Sequence, residues 1–589
     1  MHDEHDAAPL YRPATPLSRG ADWLAGTASG LVGLALLVGA GAGLGAVAFR
    51  YLILEFTRLF TGHRDYSAVG RAPWGHSGVG SWFVIVAPVV GGLLYGPLIY
   101  RFAREARGHG VPEVMLAVAE RGGRIRPQVA IVKSLASAIT IGAGGSVGRE
   151  GPIVQIGSAL GSTLGQVARL SESRLRLLVA CGAAGGISAT FNAPIAGTFF
   201  ALEMILRDFE AESFGVVVLS SFVADLIGRA AFGAQPFLNL PAFEIHSSWE
   251  YPLYAILGVA AALVGVAFIR VLYGTEDLAD RIWHGPEWLR PAAGGVVLGL
   301  VLFALPELYG VGYPPLEHAI DGHYVIGLLL LLLVGKLVAT SLTIAIGGSG
   351  GVFAPSLFMG AMLGSAFGSV VSHLAPFPTA SAGAYGLVGM GAVFAAAARA
   401  PITAVIIIFE LTGDYRIILP LMFAVALATG ISSRLSRDTI YTLKLRRRGI
   451  EVIGGRRTNL MRTIRVSEAM QPLPKGLDED TPLLEIMHRF EQESTDGLPV
   501  VDENGVYRGI VVASELEQAI RGDALDATAA DLAREVAPAH VGDTLEQALP
   551  EVLLARSGLP VVDADDQQVV GWLTQSDVLR AYHRRISGQ

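Results

Sequence analysis

GAGGSVGREGPIVQIGSALG, residues 142–161, carries two charges, Arg149 and Glu150, inside a segment that is otherwise apolar and rich in glycine. A carboxylate at bilayer depth is costly, and such residues usually line polar pathways. Gly142, Gly144, Gly145 and Gly148 interrupt a continuous helix and let backbone approach a ligand closely, whereas Pro152 suits the first turn of a new helix. The pattern predicts a helix that begins at about Glu150. Its first N–H groups and positive dipole end would face an anion, with Glu150 beside them as a tethered competitor. Taken alone, the stretch fits equally well a tight turn between packed helices, with Arg149 and Glu150 as an ion pair.

An internal repeat decides between these readings. Lys133 to Pro152 aligns with Lys336 to Pro355 at a constant offset of 203, so that Thr140, Gly144, Gly145, Ser146, Gly148 and Pro152 match Thr343, Gly347, Gly348, Ser349, Gly351 and Pro355. The glycines continue in step, Gly157, Gly161 and Gly165 matching Gly360, Gly364 and Gly368. Upstream, GHGVP (108–112) pairs with GVGYP (310–314); downstream, NAPIAGTFFALE (192–203) pairs with RAPITAVIIIFE (399–410). Paired hydrophobic segments broken by glycine and proline at corresponding places point to a transport site near the bilayer midplane.

Composition agrees. Of 589 residues 52% are hydrophobic and only 16% charged, and the mean hydropathy is +0.49, which excludes an ordinary soluble globule. The one cysteine, Cys181, lies in an apolar run and excludes an intramolecular disulfide framework. A net charge of −8 does not suggest a nucleic-acid partner. There is no HExxH, no GxSxG and no Walker-type lysine, so no enzyme is expected.

In chain order, residues 1–22 form a polar, acidic tail without the basic n-region of a signal peptide, expected to be cytoplasmic. The membrane part is expected over 23–443, with repeat halves at about 80–210 and 290–415. Runs at 29–49, 80–100 and 325–346 are long enough to cross a bilayer, whereas the pieces between 129 and 206 suggest shorter, tilted helices. A helix is expected at 214–232 and an exposed loop at 235–250. The cluster Lys444, Arg446, Arg447, Arg448, with Arg456 and Arg457, marks 444–464 as a basic linker on the cytoplasmic side. Two α/β units follow, 465–522 and 527–585, in which GLPVVDENGVYRGIVVASELEQAI (497–520) recurs as GLPVVDADDQQVVGWLTQSDVLRA (558–581).

Over residues from about 25 to 585 the chain resembles the chloride-channel (CLC) family followed by a tandem pair of cystathionine-β-synthase-type (CBS) domains; GREGP (148–152), GVFAP (351–355), the GxGxP segment (108–112) and an isolated tyrosine after the last span carry the likeness. The resemblance implies an all-α polytopic membrane domain of two inverted repeats with broken helices, then a soluble α/β pair. It implies a multi-pass cell-membrane protein with cytoplasmic termini, assembled as a homodimer with one pore per subunit. Glu150 would be the gating glutamate. Chloride or a similar anion would be held by His109, Gly110, Val111, Arg149, Glu150 and Gly151, by the amides of Val352 and Phe353, and by the Tyr441 hydroxyl.

Two departures from the family pattern bear on mechanism. His109 stands where serine is common, and imidazole is larger and titrates near physiological pH. Met204 stands where exchangers of the family carry a second glutamate that passes protons, leaving Glu203 as a displaced proton station or, given its repeat mate Glu410, a structural residue. A gated chloride channel is therefore the leading expectation, and a proton-coupled chloride exchanger the alternative. No cofactor or metal is expected for transport. In the second CBS unit Thr574 and Asp577 form one complete half-site for an adenine nucleotide, where the first unit has Val512 and Glu515; a role in dimer contact and stability is the competing reading.

Overall fold

The computed structural model describes residues 27–75, 80–234, 247–450, 461, 464–472, 476–493, 496–522, 524, 526–555, 557–563 and 568–587. The expected N-terminal tail, most of the 235–250 loop, and Arg456 and Arg457 lie outside the described residues. The chain divides into two compact units, Met1–Val452 and Ile453–Gln589.

The described residues of the first unit form helices joined by turns and loops. Among the described residues seven helices are long and apolar enough to cross a bilayer: Ala28–Thr61, Phe83–Phe102, Ala211–Phe232, Glu250–Ile282, Ile326–Ala345, Phe353–Leu374 and the segment Tyr415–Leu435. Shorter pieces lie between them, including Val111–Glu120, Gln128–Gly142, Arg290–Ala304, Tyr313–Ile320 and Pro401–Thr412. Glu150–Val167 is such a broken element, and Glu150 is its first helical residue. The glycine ladders explain the packing of the innermost pairs. A Cβ on Gly157 would strike the Gly182 carbonyl in the neighbouring helix Glu172–Phe191, and one on Gly360 would strike that of Gly389 in Ala382–Ala398. Small residues let these backbones touch, and van der Waals packing rather than water exclusion holds helices together in lipid.

Reciprocal contacts reveal the two-fold relation of the halves. The Ser146 amide donates to Thr343 Oγ1 at 3.2 Å, and its mate, the Ser349 amide, donates to Thr140 Oγ1 at 3.3 Å. Lys133 Nζ donates to the carbonyls of Ala106 and Gly108, while Lys336 Nζ donates to those of Gly310 and Val311. Both lysines are buried, and these carbonyls supply the partners that a buried ammonium requires. Asn192 and Arg399 end matching helices with the same left-handed φ of 55°.

The second unit contains two three-stranded sheets of the same topology. β1 (Leu477–Asp478) runs parallel to β2 (Gly497–Val501), which pairs antiparallel with β3 (Tyr507–Val512). β4 (Ala539–His540), β5 (Leu559–Val562) and β6 (Val569–Leu573) repeat this arrangement. The register shift falls at the equivalent step in each, Val500/Val501 and Val561/Val562. Within this second unit the two sheet-bearing repeats exchange elements between their cores. Ile464, Val466 and Ala469 at the start of the first pack into the core of the second, whereas Ala529 and Leu532 pack into the core of the first.

Candidate functional site

Three glycine loops meet between the halves. Gly148 and Gly351 exchange both backbone hydrogen bonds, at 2.8 and 2.5 Å, and the Gly108 amide donates to the Gly348 carbonyl at 3.0 Å. Gly110 has φ of +75°, and a Cβ there would lie 2.8 Å from the Gly151 carbonyl oxygen. A residue with a side chain would be strained at that φ and would also separate the loops. Three helices start at this junction, Val111–Glu120, Glu150–Val167 and Phe353–Leu374, so their unsatisfied N–H groups and positive dipole ends surround one small region.

Glu150 occupies that region and is 1% exposed. One carboxylate oxygen accepts the Tyr313 hydroxyl at 2.7 Å and the other accepts the Ala354 amide at 3.3 Å, in the first turn of the Phe353 helix. The amides of Val352 and Phe353 were the donors expected for a central anion rather than for this carboxylate. Val352 is the N-cap of that helix, and the amide that reaches the carboxylate belongs to Ala354, one residue beyond the expected pair. Because Pro355 has no N–H and the Ser356 amide already donates to the Val352 carbonyl, the free donors of this turn are confined to its start. The Phe353 ring packs between Phe191 and Phe394, with ring centroids 5.6 and 4.4 Å away. Arg149 stands over Tyr313, the donor to Glu150. Its guanidinium lies 5.2 Å from the Tyr313 ring centroid and donates to the Thr190 carbonyl at 3.4 Å.

On the other side of the loops, His109 and Tyr441 are both 1% exposed, with ring centroids 5.9 Å apart. The Tyr441 segment is pinned from three directions. The Ile440 amide donates to the Ala397 carbonyl, Tyr273 donates its hydroxyl to the Ile440 carbonyl at 2.6 Å, and Glu113 accepts Arg448 at 2.8 Å from the turn after the short helix that follows. His109 Nε2 lies 3.4 Å from the Tyr273 hydroxyl.

Each GxGxP loop borders one cavity, so the two-fold relation puts the cavities on opposite faces. Gly310 and Tyr313 line a cavity of about 280 Å³ with Arg50, Arg64, Asp65 and Arg149. Gly108 lines one of about 580 Å³ that gathers Arg104, Arg107, Arg290, Lys444, Arg447 and Arg448 against Glu276, Asp280 and Glu287. A mouth with such an excess of cations concentrates anions. Glu150 lines neither cavity.

Glu203 sits apart, in a π-helical turn Ala201–Leu206. Its carboxylate accepts the amides of Ile402 and Thr403 and the Thr403 hydroxyl, at 2.6 to 3.1 Å. Its mate Glu410 accepts the amides of Ile195 and Ala196 at 3.0 and 2.6 Å. Each glutamate thus caps the N-terminus of the helix on which the other stands. In the second unit, Asp577 is 3% exposed and both its oxygens are engaged, one by the Gln471 side-chain amide and the other by the Thr574 amide and hydroxyl. This repeats the capping boxes of Thr528 with Asp531 and Thr544 with Gln547.

Tyr313, Tyr273 and Glu276 were not expected from the sequence. Tyr313 is the repeat mate of Val111, so the GxGxP pattern flags the turn and not the hydroxyl. Tyr273 and Glu276 stand on the long helix Glu250–Ile282, which runs unbroken through Gly274 between them and so marks no site.

Fold and site together define a polytopic membrane protein in which helix N-termini converge on a buried carboxylate between two charged cavities. The voltage gated chloride channel family model matches residues 91–433, and the CBS domain model matches 466–522 and 529–584. The chain belongs to the voltage gated chloride channel family of anion-transport proteins. A relative from Ralstonia nicotianae with a ClcB-like chloride-channel name is 34% identical over 431 residues, covering 70% of this chain and 99% of the relative. The H(+)/Cl(-) exchange transporter ClcA of Vibrio parahaemolyticus is 33% identical over 393 residues, covering 64% and 83%. Among solved structures, a slow cyanobacterial Cl−/H+ antiporter aligns with a TM-score of 0.64 at 24% identity, covering 71% of this chain and 97% of that one. A eukaryotic CLC transporter aligns at 0.60 and 21%, covering 93% and 97%. These likenesses between structures bear on the fold alone.

Proposed function

We propose that the protein exchanges chloride for protons across the membrane, with Glu150 as the shared gate. The observation that carries this reading is the carboxylate of Glu150 itself, seated at the start of the Phe353 helix where an anion would otherwise sit. When ionised it competes with chloride for the Ala354 amide; when protonated it loses that advantage and yields the position. One side chain that must alternate between proton and anion couples the two movements. Relatives named H(+)/Cl(-) exchange transporters, at 33–35% identity, support exchange over the channel reading favoured from Met204. Glu203 is committed to capping a helix, so in the exchange reading the inner proton station is to be sought elsewhere.

His109, Gly110, Val111, Gly151, Phe353 and Tyr441 complete the anion pathway in this reading, and Lys444, Arg447 and Arg448 mark its cytoplasmic mouth. The protein works as a homodimer with one pathway per subunit, in a cell membrane with both termini inside. The tail modulates transport, and its Thr574–Asp577 pair serves stability rather than nucleotide binding. The test of the gate is chloride efflux from liposomes across a pH series. Glu150→Gln should conduct chloride with no dependence on pH, and a wild-type rate and pH profile in that variant would refute the assignment. The channel reading has one observation of its own, the thioether at position 204, which exchanges no proton.

A further inference from the structure

Exchange needs a titratable route between Glu150 and the cytoplasmic side, and Met204 and Glu203 do not supply one. The large cavity bordering Gly108 does hold candidates. Tyr273 and Glu276, three residues apart on the same helix and so on one face of it, both line that cavity. At about 580 Å³ the cavity is many times the roughly 30 Å³ share of one water molecule, so bulk protons reach Glu276. Beyond Tyr273 lies His109, with Nε2 3.4 Å from the hydroxyl. The other ring nitrogen, Nδ1, is buried without a hydrogen-bond partner among the described residues. An imidazole with one nitrogen on a relay hydroxyl and the other unspent can take a proton on one side and release it from the other. Its backbone adjoins Gly151, the residue after Glu150, because a Cβ on Gly151 would strike the His109 carbonyl.

We infer that Glu276, Tyr273 and His109 form the cytoplasmic proton route of this exchanger, taking the place of the carboxylate absent at position 204. The inference rests on the exchange reading above. In one concerted transfer through the cavity, a Glu276 carboxyl gives up its proton and the Tyr273 oxygen takes one. The Tyr273 hydroxyl swings from the Ile440 carbonyl and passes its own proton to His109 Nε2. The Nδ1 proton of His109 leaves toward the anion site and Glu150. Return of the imidazole to its Nδ1–H tautomer resets the chain, and no charge is left behind on tyrosine or histidine.

The surrounding charges suit a transient proton. Arg107, Lys444, Arg447, Asp277 and Asp280 stand around Glu276, with Arg447 tied to Asp277 at 2.7 Å and its guanidinium 4.8 Å from the Tyr273 ring centroid. Around His109, Lys133 is held by the Ala106 and Gly108 carbonyls, while Lys444 and Arg448 both face Glu113. Burial first, and then these cations, disfavour a resting imidazolium, so a proton arriving there moves on.

The experiment is coupled flux in liposomes of pure protein, reading protons moved per chloride under an imposed chloride gradient. In Glu276→Gln and Tyr273→Phe that ratio should fall at least tenfold, whereas Glu276→Asp should stay within twofold of wild type. Tyr273→Phe keeps the ring and its packing, so it tests the relay even if Glu276→Gln does not fold. Unchanged ratios in both variants, with a coupled wild type, would overturn the relay alone. A wild type that moves no protons would overturn the relay together with the exchange reading.

Discussion

Tyr313→Phe is the most informative single perturbation of the gate. The hydroxyl donates to Glu150 at 2.7 Å, and the substitution removes that donor while keeping the ring beneath Arg149. A hydrogen bond to a charged group contributes about 1.5–3 kcal/mol. The carboxylate retains the Ala354 amide, so the lower end applies, about 1.5 kcal/mol or roughly tenfold in occupancy of the closed position. The lost bond favoured the ionised form, so the Phe variant protonates more readily and gives way to chloride more readily. Chloride efflux near neutral pH should therefore rise by up to about tenfold, and the pH of half-maximal flux should move up by about one unit. Stopped-flow or electrode recording of efflux from liposomes between pH 4.5 and 8.5 measures both. An unchanged profile, or a half-maximal pH that moves down, would refute the idea that Tyr313 latches the gate.

Three further outcomes follow from the same contacts. Glu203→Ala and Glu410→Ala each strip the cap from a partner helix and should destabilise the solubilised protein by a few kcal/mol, seen as a lower thermal midpoint, without changing protons moved per chloride; a selective loss of coupling in Glu203→Ala would make it a proton station after all. Calorimetric titration of the full chain with ATP, ADP and AMP should give no heat at millimolar ligand, because Asp577 is closed by Gln471 and Thr574; binding that Asp577→Ala abolishes would establish the nucleotide site instead. Hydrogen bonds from the backbone and side chain of Thr528 hold the Asp531 carboxyl below its usual range, so its stabilisation is present above the unfolded value of about 3.9 and is lost as pH falls through the lower folded value. Urea unfolding of residues 453–589 followed through Trp572, their one tryptophan, should show Asp531→Asn weakening the tail at pH 7 and progressively less as the pH is taken into the acid range.

Much of this architecture is legible in the sequence. The start of a helix at Glu150 follows from glycines before it and a proline after it, and the two-fold relation follows from the offset of 203 between matching residues. The structural reading of Glu203 could be weighed from its mate Glu410, although the exchange of caps that makes it physical requires the fold. The residues that sequence does not reveal lie where local pattern is silent. The Tyr313 hydroxyl belongs to a position whose mate is Val111, so the repeat says nothing of it. Tyr273 and Glu276 look like ordinary residues of a long helix until packing brings His109 against that face. In the tail, the sequence repeat delimits each CBS unit as a contiguous piece, yet Val466 and Ala469 serve the core of the other unit. Similarity along a chain reports recurring elements, and core membership depends on which neighbours those elements bury.

The central claim is that one carboxylate serves both proton and anion. It is tested most directly by placing the pure protein in liposomes with the membrane potential clamped, imposing a chloride gradient and following internal pH. The account predicts uphill proton movement driven by chloride in the wild type and none in Glu150→Gln, which should still pass chloride. Rapid chloride movement in the wild type with no change of internal pH would contradict it and leave a chloride channel.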